Sequence, residues 1–150
     1  MIRVALLTCL AAVGTAVPAQ AAFRDIYRAA GVVESTGVSG FGTAIHCTNS
    51  ANATANVRVI LYRHDALVMA NVVVPIDPGD TATIATGVTG LFPSATNLNT
   101  GNIFQGQAVI RSDSTDVFCS IVVLDRGNVV PKFMTRLHMV KYPRGGGGED

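Results

Sequence analysis

The feature that most constrains this chain is a short apolar–polar alternation fenced by turn residues. In Val57-Arg58-Val59-Ile60-Leu61-Tyr62-Arg63, Val57, Val59 and Leu61 share one face, and Arg58, Ile60 and Tyr62 share the other. A period of two is the pattern of a half-buried antiparallel strand. The run is preceded by TNSANATAN (48–56), a cluster of small polar turn residues. It is followed by His64-Asp65-Ala66, short enough to close a hairpin onto 67–74. Punctuation of this kind leaves no room for long helices, so the core must be built from strands.

The rest of the chain repeats the theme. Residues 22–30 suit either a short helix or an edge strand. Thr43-Ala44-Ile45-His46-Cys47 alternates, with Ile45 and Cys47 on one face. Asp77-Pro78-Gly79-Asp80 is the sharpest turn signal, since proline presets φ at the second position and glycine tolerates the positive φ of a type II turn at the third. Strand character follows at 81–86, at 107–112, and at 117–124, the most apolar run and the one expected to be covered on both faces. A last strand is expected over 134–142. The expectation is an all-β chain: an antiparallel, immunoglobulin-like β-sandwich of seven or eight strands. A jelly roll or small barrel is the alternative.

The amino terminus sets the compartment. Met1-Ile2-Arg3 carries one positive charge, 4–17 is almost wholly apolar, Pro18 breaks the run, and Ala19-Gln20-Ala21 supplies small residues. This reads as a secretory signal peptide cleaved after Ala21. The apolar run is too short for a stable membrane span. Leu6-Leu7-Thr8-Cys9 faintly resembles a lipobox, but the apolar run continues past Cys9, so a lipid-free chain starting at Ala22 is expected. The domain limits are then 1–21 for the signal peptide, 22–144 for a single domain and 145–150 (GGGGED) for a flexible tail. The expected location is the periplasm or the outside of the cell.

Of three cysteines, Cys47 and Cys119 survive processing, and an even pair in an oxidising compartment predicts one inter-strand disulfide. An immunoglobulin domain joins corresponding strands across its two sheets. This chain has no Trp to stack on the bridge, and Val117 stands where a tyrosine corner would be, so the likeness is one of architecture. The segments GTAIHCTN (42–49), FCSIVVLD (118–125) and LHMVKY (137–142) resemble a pattern of small, uncharacterised secreted bacterial β-sandwich proteins. The resemblance implies a bacterial secreted β-domain and carries no activity or site.

The chain has eleven Lys and Arg against ten Asp and Glu. Loss of Arg3 with the signal peptide balances them. No basic block occurs, which argues against nucleic acid or an anionic membrane surface as partner. Nothing in the sequence calls for a cofactor or a metal. There is no nucleophile elbow, and Ser39 lies in a Gly/Ser-rich loop. His46, His64 and His138 have no metal-binding spacing, although His46 and His138 lie in strands that could be adjacent. The Asp77/Asp80 and Asp113/Asp116 pairs could bind calcium, but aspartate also favours turns by bonding its own backbone. Asn52-Ala53-Thr54 is a glycosylation sequon in an exposed turn. The candidate binding loop is 87–106, long and irregular, with Leu91, Phe92, Ile103 and Phe104. These side chains are expected chiefly to tuck the loop onto the domain, with partner contact as the sharper reading. The leading expectation of function is a non-catalytic extracellular or envelope domain acting through surface contacts, its partner another envelope component or itself. The second is a subunit of a surface fibre that assembles by adding residues 22–33 as a strand to a neighbour. A secreted hydrolase is the third.

Overall fold

Valine, isoleucine and threonine, β-branched residues recurring at alternate positions, turn nearly every segment into a strand. The fold is a computed structural model that describes residues 22–35 and 40–142. The expected signal peptide, Cys9, Ser39 and the glycine-rich tail lie outside the described residues. Among the described residues ten strands run in chain order: β1 (Arg24–Glu34), β2 (Phe41–Asn49), β3 (Ala55–Tyr62), β4 (Val68–Ile76), β5 (Thr81–Ala85), β6 (Thr96–Asn97), β7 (Ile103–Ser112), β8 (Val117–Asp125), β9 (Met134–Arg136) and β10 (Met139–Lys141). They form two five-stranded sheets, β10-β1-β7-β3-β4 and β6-β5-β2-β8-β9. All pairings are antiparallel except the short β5–β6 contact, which is parallel.

Both sheets contribute to one core. Tyr27, Val32, Val57, Val59, Leu61 and Ile110 of the first sheet join Ile45, Ile84 and Ile121 of the second in a single buried cluster. Of the two faces of β3, the one carrying Val57, Val59 and Leu61 has no exposed surface, and Ile60 on the other face is buried too. Burying such a branched side chain stabilises the fold by roughly 1.5–3 kcal/mol. The β3–β4 hairpin closes where expected, with the Arg63 N–H donating to Leu67 O at 2.9 Å and Ala66 N–H to Arg63 O at 3.0 Å. The Asp77–Asp80 turn closes through Asp80 N–H to Asp77 O at 3.0 Å, with Gly79 at φ +80°.

The structure corrects several expectations. Of residues 22–30, all from Arg24 onward belong to β1, which is neither a helix nor an edge strand. β1 lies between β7 and β10 and is paired on both sides within its own sheet. The expected strand at 134–142 divides into β9, which pairs β8 in one sheet, and β10, which pairs β1 in the other. An alternating pattern cannot reveal such a crossing, because both pieces alternate. The count of ten rather than seven or eight comes from β6, β9 and β10, which have only two or three residues each. β8 is not covered on both faces, since Phe118 is exposed.

Cys47 and Cys119 form a disulfide with Cα atoms 4.1 Å apart. They are direct register partners on neighbouring strands β2 and β8. The bridge therefore lies inside one sheet and does not span the two sheets as it does in an immunoglobulin domain. Its separation of 72 residues closes a long loop in the unfolded chain. We expect replacement of both cysteines by alanine to lower stability by about 2–4 kcal/mol, measured as a shift in urea midpoint that reductant reproduces in the parent protein.

Candidate interaction surface

Glu34 ends β1 and is only 1% exposed, so its carboxylate needs partners. It pairs with the Arg126 guanidinium through Nη1 and accepts a 2.6 Å hydrogen bond from Thr86 Oγ1. Arg126 Nη1 also donates to Ser35 O, and Nε to Val88 O, each at 3.2 Å. Thr86 Oγ1 accepts in turn from Thr43 N–H at 2.9 Å. The cluster joins the end of β1 in one sheet to residues at the ends of β5 and β8 in the other. Gly87 makes room for it, because a Cβ there would fall 2.6 Å from Glu34 Oε1.

Above this cluster the segment after β8 is fixed by a second carboxylate. Asp125 Oδ2 accepts from Asn128 Nδ2 at 3.0 Å and from Lys132 N–H at 2.9 Å, while Asp125 N–H donates to Phe133 O at 3.1 Å. Gly90 N–H donates to Arg126 O at 2.9 Å. Gly90 packs so closely on the Asn128–Val129 main chain that a Cβ would meet it at 3.0 Å. Several outward side chains of this end are large and apolar, beside the exposed polar Asn128 and Lys132. Val130 is 80% exposed and Val129 72%; Val88, Phe133, Met134 and Phe41 are exposed beside them. The Phe41 and Phe133 rings meet edge to face with centroids 5.8 Å apart. Large apolar side chains clustered on an anchored loop mark a contact surface more often than a solvated one. The signal for it was present in the sequence as R-G-N-V-V-P-K-F (126–133), two adjacent valines and a phenylalanine outside any alternation.

The residues singled out in the 87–106 loop are dispersed. Ile103 is fully buried at the start of β7, and Leu91 and Phe92 are half-buried. Phe104 is 59% exposed. Leu98 N–H donates to Ala85 O and Thr100 N–H to Thr86 O, which ties the loop along β5. The structure does not bring the histidines together. His46 lies on β2, with Nδ1 3.0 Å from Thr83 Oγ1 and its ring against Phe92 at 4.6 Å. His138 lies between β9 and β10, beside Tyr27, Cys119 and Leu137. β2 is a neighbour of neither β9 nor β10, so His138, between those two strands, is not on a strand adjacent to that of His46. His64 is exposed in the β3–β4 turn. The turn aspartates bond to residues in and beside β3 rather than to a metal-like cluster of their own: Asp77 accepts from Thr54 Oγ1 at 2.8 Å, and Asp113 accepts from Asn56 N–H and Nδ2 at 2.8 and 2.7 Å. Among the described residues no three His, Cys, Asp or Glu side chains gather in a way that could hold a metal ion. Asn52 of the sequon is exposed.

Register also gathers charges that the linear sequence separates. Arg111 lies opposite Asp25 on one side and Arg58 on the other. Asp25 binds Arg111 Nε at 2.6 Å and Arg28 Nη2 at 2.7 Å. Burial opposes its charge, but these two hydrogen bonds outweigh that and hold its carboxyl below the ordinary 3.8. Arg58 stacks on the Phe23 ring at 4.5 Å.

Two outcomes follow from these contacts. Replacing Arg126 by methionine leaves Glu34 buried and unpaired, and we expect a loss of about 3–5 kcal/mol in urea denaturation. The Glu34→Gln/Arg126→Met double variant should lose less than the sum of its single changes. The second outcome concerns pH. Burial holds His46 below its ordinary 6.5, so folding favours the neutral ring. That contribution is complete above about pH 6.5 and is lost as pH falls through the lower folded value. Thermal melts of His46→Asn should therefore fall less than those of the parent between about pH 7 and pH 5.

No helix among the described residues is long and apolar enough to cross a membrane. In comparisons with known proteins, no family model matches this chain, and no curated protein or solved structure matches it either.

Proposed function

We propose that the chain works after export as a non-catalytic domain of a bacterial envelope or its surroundings, acting through surface contacts at its apolar end. The observation that carries this reading is the exposure of Val129, Val130 and Phe133 on a loop that Asp125 and Arg126 hold in place, with Met134 exposed next to it at the start of β9. A solvated loop would be cheaper to dissolve if those side chains were polar, and a disordered one would need no such bracing. The leader-like amino terminus supports export, and the Cys47–Cys119 bridge suits an oxidising compartment. Within the all-β class, two sheets over one core support the sandwich reading of immunoglobulin-like type, with the bridge placed differently.

The test is a Val129→Ser/Val130→Ser/Phe133→Ser variant expressed from the full chain in a bacterial host. Cells are separated into envelope and soluble fractions. The parent should be retained with the envelope and the variant released, with melting temperature and disulfide unchanged. The same distribution for both proteins would remove the apolar end as the contact surface.

A further inference from the structure

The first sheet is unfinished along β4. This strand is nine residues long, V-M-A-N-V-V-V-P-I, and carries no charge. It pairs with β3 and forms one edge of its sheet. The other edges among the described residues are β6, β9 and β10, of two or three residues; β9 carries Arg136 and β10 carries Lys141. Natural sheets discourage edge pairing by short length, charge, proline and bulges. β4 is neither short nor charged, and its Pro75 and its register shift between Ala70 and Val68 flank the regular stretch 71–74. The core is also open here. Val57, Val59 and Leu61 of β3 are fully buried, whereas their register partners Val74, Val72 and Ala70 on the same face of β4 are only half-buried. On the opposite face Val68 and Val73 are exposed.

Register fixes which main-chain groups of β4 point outward. Asn56 donates its N–H to Asp113 Oδ1 and accepts at its carbonyl from Asp113 N–H, so both groups face away from β4. In an antiparallel ladder this orientation recurs at every second residue, and the residue opposite points the other way. The partners of Asn56, Arg58 and Ile60 are Pro75, Val73 and Asn71. The N–H and C=O of Asn71 and Val73 therefore face the open edge, and Pro75, which has no N–H, ends the donor row.

We propose that β4 pairs antiparallel with β4 of a second copy of this chain, about a two-fold axis at Val72, and that the product is a closed dimer. Asn71 of one copy lies opposite Val73 of the other, and the two exchange N–H and C=O bonds on either side of the axis. Val72 meets Val72, and Val74 meets Ala70, which covers the half-buried face. A second copy is the fitting occupant because a charge-free strand sets no like charges opposite each other, and because charges balance over the chain after Arg3. Closure follows from the edges: an isologous contact uses the same strand in both copies and leaves only short edges free. The interface is small, so the dimer is weak and concentration-dependent. This inference does not rest on the apolar end.

Sedimentation equilibrium of the exported, disulfide-bonded protein over roughly three decades of concentration, up to the millimolar range, tests it. The expected result is a mass that rises towards twice that of one chain. Val73→Pro removes an outward N–H without touching the β3 ladder, and Asn71→Lys places a charge on the edge. Both variants should stay monomeric at concentrations where the parent is dimeric. Should Val73→Pro fail to fold, Asn71→Lys alone decides. The triple serine variant of the apolar end should dimerise as the parent does. A parent that stays monomeric, growth beyond a dimer into filaments, dimerisation of folded Asn71→Lys, or loss of the dimer in the serine variant would each overturn the proposal.

Discussion

A carboxylate buried between two sheets is the constraint around which one end of this molecule is arranged. Left unpaired, the Glu34 charge would cost several kcal/mol. Its partners are therefore obligatory, and each fixes something else. Thr86 ties it to Thr43 of β2, and Arg126 ties it to the carbonyls of Ser35 and Val88. One buried group thus settles where β1 stops, how the chain leaves β5, and how it leaves β8. The glycine at 87 is part of the same solution, since any side chain there would occupy the space of the carboxylate. The exposed apolar end rests on this frame and inherits its rigidity.

The sequence was legible where physics acts locally. The Val57, Val59, Leu61 face, the Asp77–Asp80 turn and the pairing of Cys47 with Cys119 follow from spacing, turn chemistry and cysteine number, and the structure contains all three. It was not legible where the outcome depends on which strands become neighbours. Alternation in 134–142 is the same whether the segment forms one strand or divides between two sheets. Residues 22–30 carry too weak a period to reveal that they occupy the inside of a sheet. The disulfide was expected, but its position within one sheet depends on strand order, which spacing does not encode.

The site shows the same division. Length and composition drew attention to 87–106, yet Ile103 is consumed by the core and Phe92 by contact with His46. The most exposed apolar side chains, Val129 and Val130, come instead from 126–133, a shorter segment that Asp125 fixes by bonding forward to Asn128 and Lys132. Glu34 reads in the sequence as an ordinary surface acid after Val33. Its partner lies 92 residues away, and only the fold makes it an interior group.

The strand order also bears on the timing of assembly. β1 finds its long partner in β7, and β2 finds its disulfide partner in β8, so the first strands to be made wait for strands from the last third of the chain. Among the described strands, a polypeptide emerging amino end first, from a ribosome or a translocation channel, has only the β3–β4 hairpin and the β2–β5 and β5–β6 contacts available until residue 103 or later has appeared. Non-local pairing of this kind slows folding and lengthens the exposure of valine-rich segments. The interleaved order therefore keeps the chain open during its passage and defers closure of both sheets, and of the covalent ring within one of them, until nearly all of it has emerged.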